Sequence, residues 1–590
     1  MNCDIFISGG GISGLSAALI ATKLGKKVIL CEETDWLGGQ ITSQGLPSLD
    51  EQPHINIFGG TKLYYEFRDN IRNYYKSHYK LSETGKSQTY FNPGGSVDNK
   101  FSFEPKVAIE VINNMIKEAI DKGLLEILYN TKVQEVLTIE ENISKIGLVN
   151  LLDNTVSTVY PKFVIDCTEL GELIDKAKIP YSTGIDSFKE TRELSAHTVS
   201  VPDATQCFTY TFAIEYIPNS INQPIEKPEL YDEFSSKVKF SINPLVMYDP
   251  DKKNTFISYR RIIDPRNFDD PNFNNIVTLI NWRSNDYSEC SLLHVTEEEK
   301  KEHLYRAQQL SLSFLYWLQT QAPRHDGSQG YPEIKFRNDI MGTDSGLSKY
   351  PYIRESRRLN SMYILKENDV CINPSMSIRG NLFSDSICIG KYLYIDIHKC
   401  YNSKILKGSG NELAYFQIPL GCLICDSVKN FSVAGKNIGV THITNGACRY
   451  HFIEWSLGEA SSILQCFCID NNCTVIDVYN NLYLLRKYRI ELLKNGIPLY
   501  WYTDVYLDNP HFISIQFLAL EGVIEPNPNN LEFNPNDKMN IVTANIWLYN
   551  ARRKFGVLKK TRDFLLDKVP ISTKAEFASL LYGKIINLLK

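Results

Sequence analysis

Residues 3–14 read Cys3-Asp4-Ile5-Phe6-Ile7-Ser8-Gly9-Gly10-Gly11-Ile12-Ser13-Gly14, and this stretch decides the fold. The run up to Ser8 has the length and composition of a buried strand. It breaks into Gly9-Gly10-Gly11-Ile12-Ser13-Gly14, which fits G-x-G-x-x-G. An apolar helical pattern follows from Leu15 to Leu24. Lys27 to Cys31 then read as a second strand that ends at Glu32. Gly9 permits a tight turn, Gly11 lets backbone approach a pyrophosphate, and Gly14 lets the helix pack closely on the sheet. The helix opens at Ile12 and Ser13, with its positive end towards the phosphates. Glu32, followed by Glu33, stands where an acid accepts ribose hydroxyls, roughly 20 residues past the glycine turn. Strand, turn, helix, strand and acid in this order predict a bound dinucleotide.

At 590 residues the chain exceeds one typical core, so two or three domains are expected. A hydrophobic content of 43% with 22% charged residues is that of a soluble globular protein. The net charge of −5 gives no nucleic-acid footprint. No apolar run approaches the length that spans a bilayer. The first strand starts almost at Met1, so no signal peptide is read and a cytoplasmic location is the default expectation. The 14 cysteines are scattered, and those in apolar patterns, such as Cys31, Cys207 and Cys388, read as small hydrophobes. Cys422 and Cys425 form a lone C-x-x-C, which cannot supply a four-ligand zinc site, and no metal is expected.

The composition divides the chain into an α/β unit over 1–186, an inserted α+β substrate or cap unit over 187–415, a return to the first unit over 416–470, and a helical region over 471–590. The fold class predicted is a discontinuous Rossmann-like α/β domain. Pro105 opens a helix in the first unit, where its missing donor is harmless. Leu125 to Tyr129 and Phe163 to Thr168 read as strands, as does Val428 to Gly435. Helices are expected over Glu298–Gln321 and Gly446–Gln465. No second G-x-G-x-x-G unit follows, so no NAD(P)H domain is evident.

Four blocks carry a resemblance: GGGISGLSAAL with CEETDWLGGQ, DCTELGELIDKAKIPY, PYIRESRRL, and AGKNIGVTHITNGACRYHFIEWSLGEA. Together they resemble the FAD-dependent oxidoreductases with a glutathione-reductase-type flavin fold, in the group called xanthan-lyase-like. The resemblance implies noncovalent FAD. Gly9, Gly11, Ile12, Ser13 and Gly14 then surround the pyrophosphate, Glu32 and Glu33 flank the adenosine ribose, and Gly38, Gly39 and Gln40 run along the ribityl chain. Val133 lies at the adenine, and Cys167 and Thr168 close that end. Gly435, Thr444, Asn445, Gly446 and Arg449 border the flavin, with a helix entered through Asn445-Gly446 aimed at its pyrimidine edge. Two positions depart from the family pattern: Glu169 replaces a glycine, and Lys436 replaces an acid. The tail around Pro510 to Pro535 and Ser572 to Ala578 loosely resembles the S-layer-homology pattern, a module that binds cell-wall polymer when secreted; packing on the rest of the chain is the favoured role.

Flavin oxidation of an amine or alcohol calls for a base and a group that stabilises negative charge. His442 is the first candidate for base or proton relay. Asp396-Ile397-His398 alternates as on a strand and sets a carboxylate beside an imidazole, which makes His398 the second. Arg354 is a candidate clamp for a substrate carboxylate, with Glu355, Arg357 and Arg358 holding an interface. Tyr259-Arg260-Arg261, Asn281-Trp282 and Asp286-Tyr287 suggest a polar, aromatic-walled cavity, and His54 a further wall residue. The reaction expected is two-electron oxidation of a small polar metabolite, with oxygen or another acceptor reoxidising FAD. A flavin monooxygenase, and an FAD-containing binding protein whose tail engages a glycan or partner, are the alternatives. The Trp-x-Trp-x-x-Pro signature of flavin halogenases is absent from the sequence.

Overall fold

The apolar alternation of residues 2–8 and the four consecutive apolar residues 28–31 form buried strands, β1 (Asn2–Ser8) and β2 (Val28–Cys31), joined by helix α1 (Ile12–Lys23). The computed structural model describes residues 1–96, 99–247, 252, 255–372, 377–403, 410–556 and 559–588. β3 (Leu125–Leu128) pairs parallel to β2. β4 (Thr131–Ile139), β5 (Asn142–Asn150) and β6 (Val156–Asp166) form an antiparallel meander. β6 is long enough to serve twice: its first half pairs with β5, and its second half runs parallel to β1. The strand Phe431–Val433 returns late in the chain and pairs parallel to β6. This pairing brings residues 435–460 onto the amino-terminal turn.

A second, antiparallel sheet contains β7 (Phe212–Tyr216), β8 (Arg261–Ile263), β9 (Ile276–Ile280) and β10 (Ile334–Phe336), in the order β10-β7-β9-β8. Helix α2 (Glu297–Thr320) packs on it through Phe314, Leu315 and Leu318, which share a core with Phe212, Ile214 and Ile280. Thr296 and Glu299 close its first turn as a capping box.

The passage expected to hold one helix from Gly446 holds two, α3 (His442–Cys448) and α4 (His451–Asn471). Thr441 and Thr444 form a capping box, so the first begins earlier than expected and places Asn445 and Gly446 inside it. α4 packs along α1. Ser13 and Ser16 donate hydroxyl hydrogen bonds to the Glu454 and Trp455 carbonyls, and Ser462 to that of Ala17, each at 2.8 Å. Gly458 permits the approach, since a Cβ there collides with the Ser13 carbonyl. Gly458→Val is therefore expected to separate the two helices and leave little soluble protein, which expression yield checks.

Residues 396–398, expected as a strand, have no regular structure. The described residues beyond about 471 are mainly helical, and Arg486 and Arg489 of one helix hold the buried Glu521 that caps the carboxyl end of the next. Among the described residues, no helix is long and apolar enough to cross a membrane.

Candidate functional site

A cleft of about 1100 Å³, counted to its open mouth, lies at the carboxyl ends of β1, β2 and β6. Gly9 and Gly11 line one wall, Glu32 and Glu33 another, and Val133, Cys167 and Thr168 a third. Gly39 approaches Gly11 so closely that a Cβ on Gly39 lies 2.8 Å from the Gly11 Cα. The facing glycines leave a concavity no side chain of their own could share. Glu32 is held rigidly: it accepts hydrogen bonds from the Gly10 N–H (2.8 Å), the Thr34 N–H (2.9 Å) and the Thr34 hydroxyl (2.8 Å). Burial pushes its pKa up to about 7 against those hydrogen bonds. Burial, and then the neighbouring Glu172, raise that of Glu33 as well. Gln44 lines the cleft, and its buried Oε1 has no hydrogen-bond partner among the described residues.

The two residues that depart from the family pattern meet. Lys436 Nζ lies 2.7 Å from Glu169 Oε2 and 3.2 Å from Glu454 Oε1. Glu169 Oε1 is 2.7 Å from where a Gly11 Cβ would stand and 3.2 Å from that of Gly39, so its carboxylate reaches into the concavity. Burial works against the charge of Lys436, but Glu169 and Glu454 outweigh it and hold the amine protonated above the usual lysine range. Burial raises the pKa of Glu454 against the pull of Lys436. Gln40 donates to Glu454 Oε1 at 2.9 Å, which ties the loop after Gly38 and Gly39 to this cluster. Glu454 thus pairs with Lys436 and Gln40, not with His451, whose Nδ1 accepts the Asp50 N–H at 3.1 Å.

A second cavity, of about 1510 Å³ to its mouth, has walls of Tyr259, Trp282, Tyr352, Tyr392, Tyr394 and Tyr450. Arg260, Asn281 and Trp282 fall here, as the sequence suggested, whereas Arg261 turns away to pair with Asp264. Arg260 pairs with Asp50 at 3.2 Å, and the Tyr392 hydroxyl donates to Asp50 at 3.3 Å. His398 borders the cavity with its ring between two carboxylates: Nδ1 is 3.0 Å from Asp286 and Nε2 3.3 Å from Asp396. A carboxylate beside each nitrogen favours the imidazolium form. Burial and Arg354 oppose this charge, but Asp286 and Asp396 win and lift the pKa to about 10. Asp396 also accepts from Arg449 Nη2 at 2.6 Å, and the Tyr352 hydroxyl accepts from Arg449 Nη1 at 2.6 Å. Asp50, Tyr392, Tyr394 and Tyr450 were not singled out in the sequence; the Tyr392-x-Tyr394 alternation and the Arg449-Tyr450 pair were the available signals.

Arg354 is buried, with Nη2 on Asp286 (3.0 Å) and Asn281 (3.0 Å) and Nη1 on Thr209 (2.9 Å). Both Nη nitrogens are thus spent on protein groups, which leaves no free Nη pair to clamp a substrate carboxylate. It also lies 3.0 Å from Asp286 and 3.7 Å from Cys207 Sγ. Cys207, Asp286 and His398 offer ligand atoms within 4.8 Å of one another, but this guanidinium already supplies the cation there. Arg357 borders the first cleft and donates to the Leu170 and Leu293 carbonyls, while Arg358 pairs with Glu355 and Asp186.

His442 lies elsewhere. Its Nδ1 is 2.9 Å from Glu355 and its Nε2 3.8 Å from Cys400 Sγ, beside a small pocket with Asp186, Glu193 and His197. The amino end of α3 is closed by protein carboxylates: Asp186 accepts the His442 N–H (2.7 Å) and Glu193 the Thr441 hydroxyl (2.7 Å). Thr444 donates to the Leu365 carbonyl and Asn445 to that of Arg354. A helix entered at Asn445-Gly446 and pointing its positive end at a ligand is therefore corrected. Gly435 packs against Ser13, Ile12 is buried in α1, and His54 shares a hydrogen bond with Tyr415 away from both cavities.

A parallel sheet with a glycine turn, a fixed acid and a deep cleft at its carboxyl edge defines a dinucleotide-binding α/β protein. The chain belongs to the FAD dependent oxidoreductase family, whose family model matches residues 4–492. Its sheet is consistent with an FAD-binding Rossmann-like fold. The glycine-lined concavity, the oriented Glu32 and the unpartnered Gln44 oxygen fit the adenosine and diphosphate half of FAD. No curated protein matches the chain. Among solved structures, it is similar to the OxyS anhydrotetracycline hydroxylase from Streptomyces rimosus (10% identity, 99% of this chain and 76% of that one, TM-score 0.32). It is similar to the myxobacterial chondrochloren halogenase CndH (9% identity, 99% and 97%, TM-score 0.30). It is also similar to the L-proline dehydrogenase from P. horikoshii (15% identity, 32% and 25%, TM-score 0.17), so the chain spans about a quarter of that protein's length.

Proposed function

We propose that the chain holds FAD with its adenosine half in the glycine-lined cleft and oxidises a small polar metabolite by two electrons in the tyrosine-walled cavity. One observation carries this reading: the same two segments border both spaces. Gly39, Ser43, Gln44 and Tyr350 line the cleft, and Asp50 and Tyr352 line the cavity a few residues further on. When bound, FAD supplies the two-electron acceptor, with oxygen or another acceptor completing turnover. Glu32 takes the ribose hydroxyls, Gly11 and the α1 amino end receive the diphosphate, and Val133, Cys167 and Thr168 wall the adenine. His398, held as a cation, stabilises negative charge that develops in the cavity. Tyr352 and Arg449 position Asp396 and so His398. His442 holds Glu355, and through it the segment that bears Arg354.

Glu169 bears on the cofactor directly. Its carboxylate must leave the concavity when a diphosphate arrives, and like charges a few ångströms apart repel. Glu169→Gln is expected to tighten FAD binding to the apoprotein roughly tenfold at pH 8. Fluorescence titration checks this; weaker binding contradicts it.

Anaerobic titration of the purified holoprotein against a metabolite library tests the reaction. Bleaching of the flavin by a polar metabolite without added reductant is the expected result. Bleaching by NADPH alone, with none by any metabolite, favours the monooxygenase instead.

A further inference from the structure

Among the described residues, the tyrosine-walled cavity meets more positive than negative charge. Asp50 is neutralised by Arg260, Asp396 by Arg449 and His398, and Asp286 by Arg354 and His398. Those three carboxylates thus meet four buried or half-buried cations. Arg283 adds a fifth at the rim, with no carboxylate paired to it among the described residues. The pKa of both Asp286 and Asp396 is held below the usual carboxylate range: burial opposes this, but Arg354 and Arg449 respectively, together with His398, prevail. Neither acid is therefore a free anion for a cationic ligand. Among the described residues the surplus is two positive charges, which leaves room for an anionic ligand.

The walls state what the rest of that ligand is made of. Tyr392 and Tyr450 stack with ring centroids 3.9 Å apart at 26°, and present a flat aromatic surface. Tyr259 meets Trp282 edge-on at 6.1 Å on another wall. Flat aromatic walls favour a ligand with a planar or cyclic body over a flexible chain, because stacking adds to area burial at small entropic cost.

Resting on the reading of this cavity as the substrate site, we infer that it binds a ring-bearing organic anion, with the anionic group drawn to the surplus cations around His398 and Arg283 and the ring laid against the tyrosines. An anion in such a field gains far more than a neutral isostere, and an amine is repelled.

The test uses four probes of one shape with the holoprotein: benzoate, phenyl phosphate, benzamide and benzylamine. Binding is read from perturbation of the flavin spectrum and, independently, from tryptophan fluorescence. One of the two anions is expected to bind at least tenfold more tightly than benzamide, with no detectable benzylamine binding. The tighter of benzoate and phenyl phosphate identifies the anionic group. Arg283→Gln is expected to cut that preference several-fold with FAD content unchanged. Equal binding of benzamide, tighter binding of benzylamine, or no binding of any probe by fluorescence overturns the inference. Loss of the functional reading is distinguishable: anion binding seen by fluorescence with no change in the flavin spectrum keeps the anion site but separates it from the cofactor.

Discussion

Lys436→Met is expected to destabilise the protein by about 3–5 kcal/mol at pH 8, the cost of removing one partner from a buried ionic cluster. Lys436 and Glu454 side chains are 2% and 3% exposed, so solvent cannot replace the lost cation. The sign of the pH dependence follows from the carboxylates. The folded-state pKa of Glu454 is already raised by burial, and removing Lys436 raises it further. Below about pH 7, the folded wild-type pKa of Glu454, the acid keeps its proton in folded wild type and folded variant alike, and the variant loses little through it. As pH rises past that value, folded wild type ionises Glu454 against Lys436, while the folded variant must either keep the proton or bury an unpaired charge. The deficit therefore grows from acid to alkaline pH. Thermal denaturation of wild type and variant at pH 5 and pH 8 measures it. A deficit independent of pH contradicts the ionic account and leaves only lost packing.

His398→Gln is expected to slow reduction of the flavin by substrate about 10²–10³-fold, the range for removing one preorganised charge-stabilising donor. FAD content is expected to stay unchanged, because His398 lies in the cavity and not in the nucleotide cleft. In wild type the rate constant is expected to hold its value through neutral pH and fall as pH rises through about 10, where the imidazolium is lost. The same group contributes to stability with matching sign. Its folded pKa lies above the unfolded value, so the contribution is complete below about pH 6.5 and gone above about pH 10. Stopped-flow reduction across pH separates this from a base, whose loss of a proton would make the rate rise with pH. A glutamine variant with wild-type rates removes His398 from the chemistry.

The amino-terminal unit was legible because its signals are local. Gly9, Gly11 and Glu32 are close in sequence, and each follows from the geometry of one turn. The aromatic cavity was half legible: Arg260, Asn281 and Trp282 lie in it, yet Arg261, read with them, pairs with Asp264 instead. Asp396 and His398 do meet, but through an irregular segment, so the alternation was informative while the strand was not. The misplaced helix start has a plain cause. Asn445-Gly446 carries the residue types of a cap, but Thr441 and Thr444 satisfy the end reciprocally and win. Contacts across long sequence separations left no trace. Glu169 and Lys436 were each conspicuous as departures, but nothing in the sequence paired residues 267 positions apart. His442 looked catalytic by its neighbourhood in sequence, whereas its ring turns to Glu355 and Cys400.

Whether one flavin joins the cleft to the cavity is settled most directly by a crystal structure of the FAD-loaded protein. Adenosine beside Glu32 and Val133, with the flavin ring opening onto His398 and the tyrosine wall, is the predicted result. A ring that ends instead beside His442, or an FAD that leaves the cavity of His398 out of reach, contradicts it.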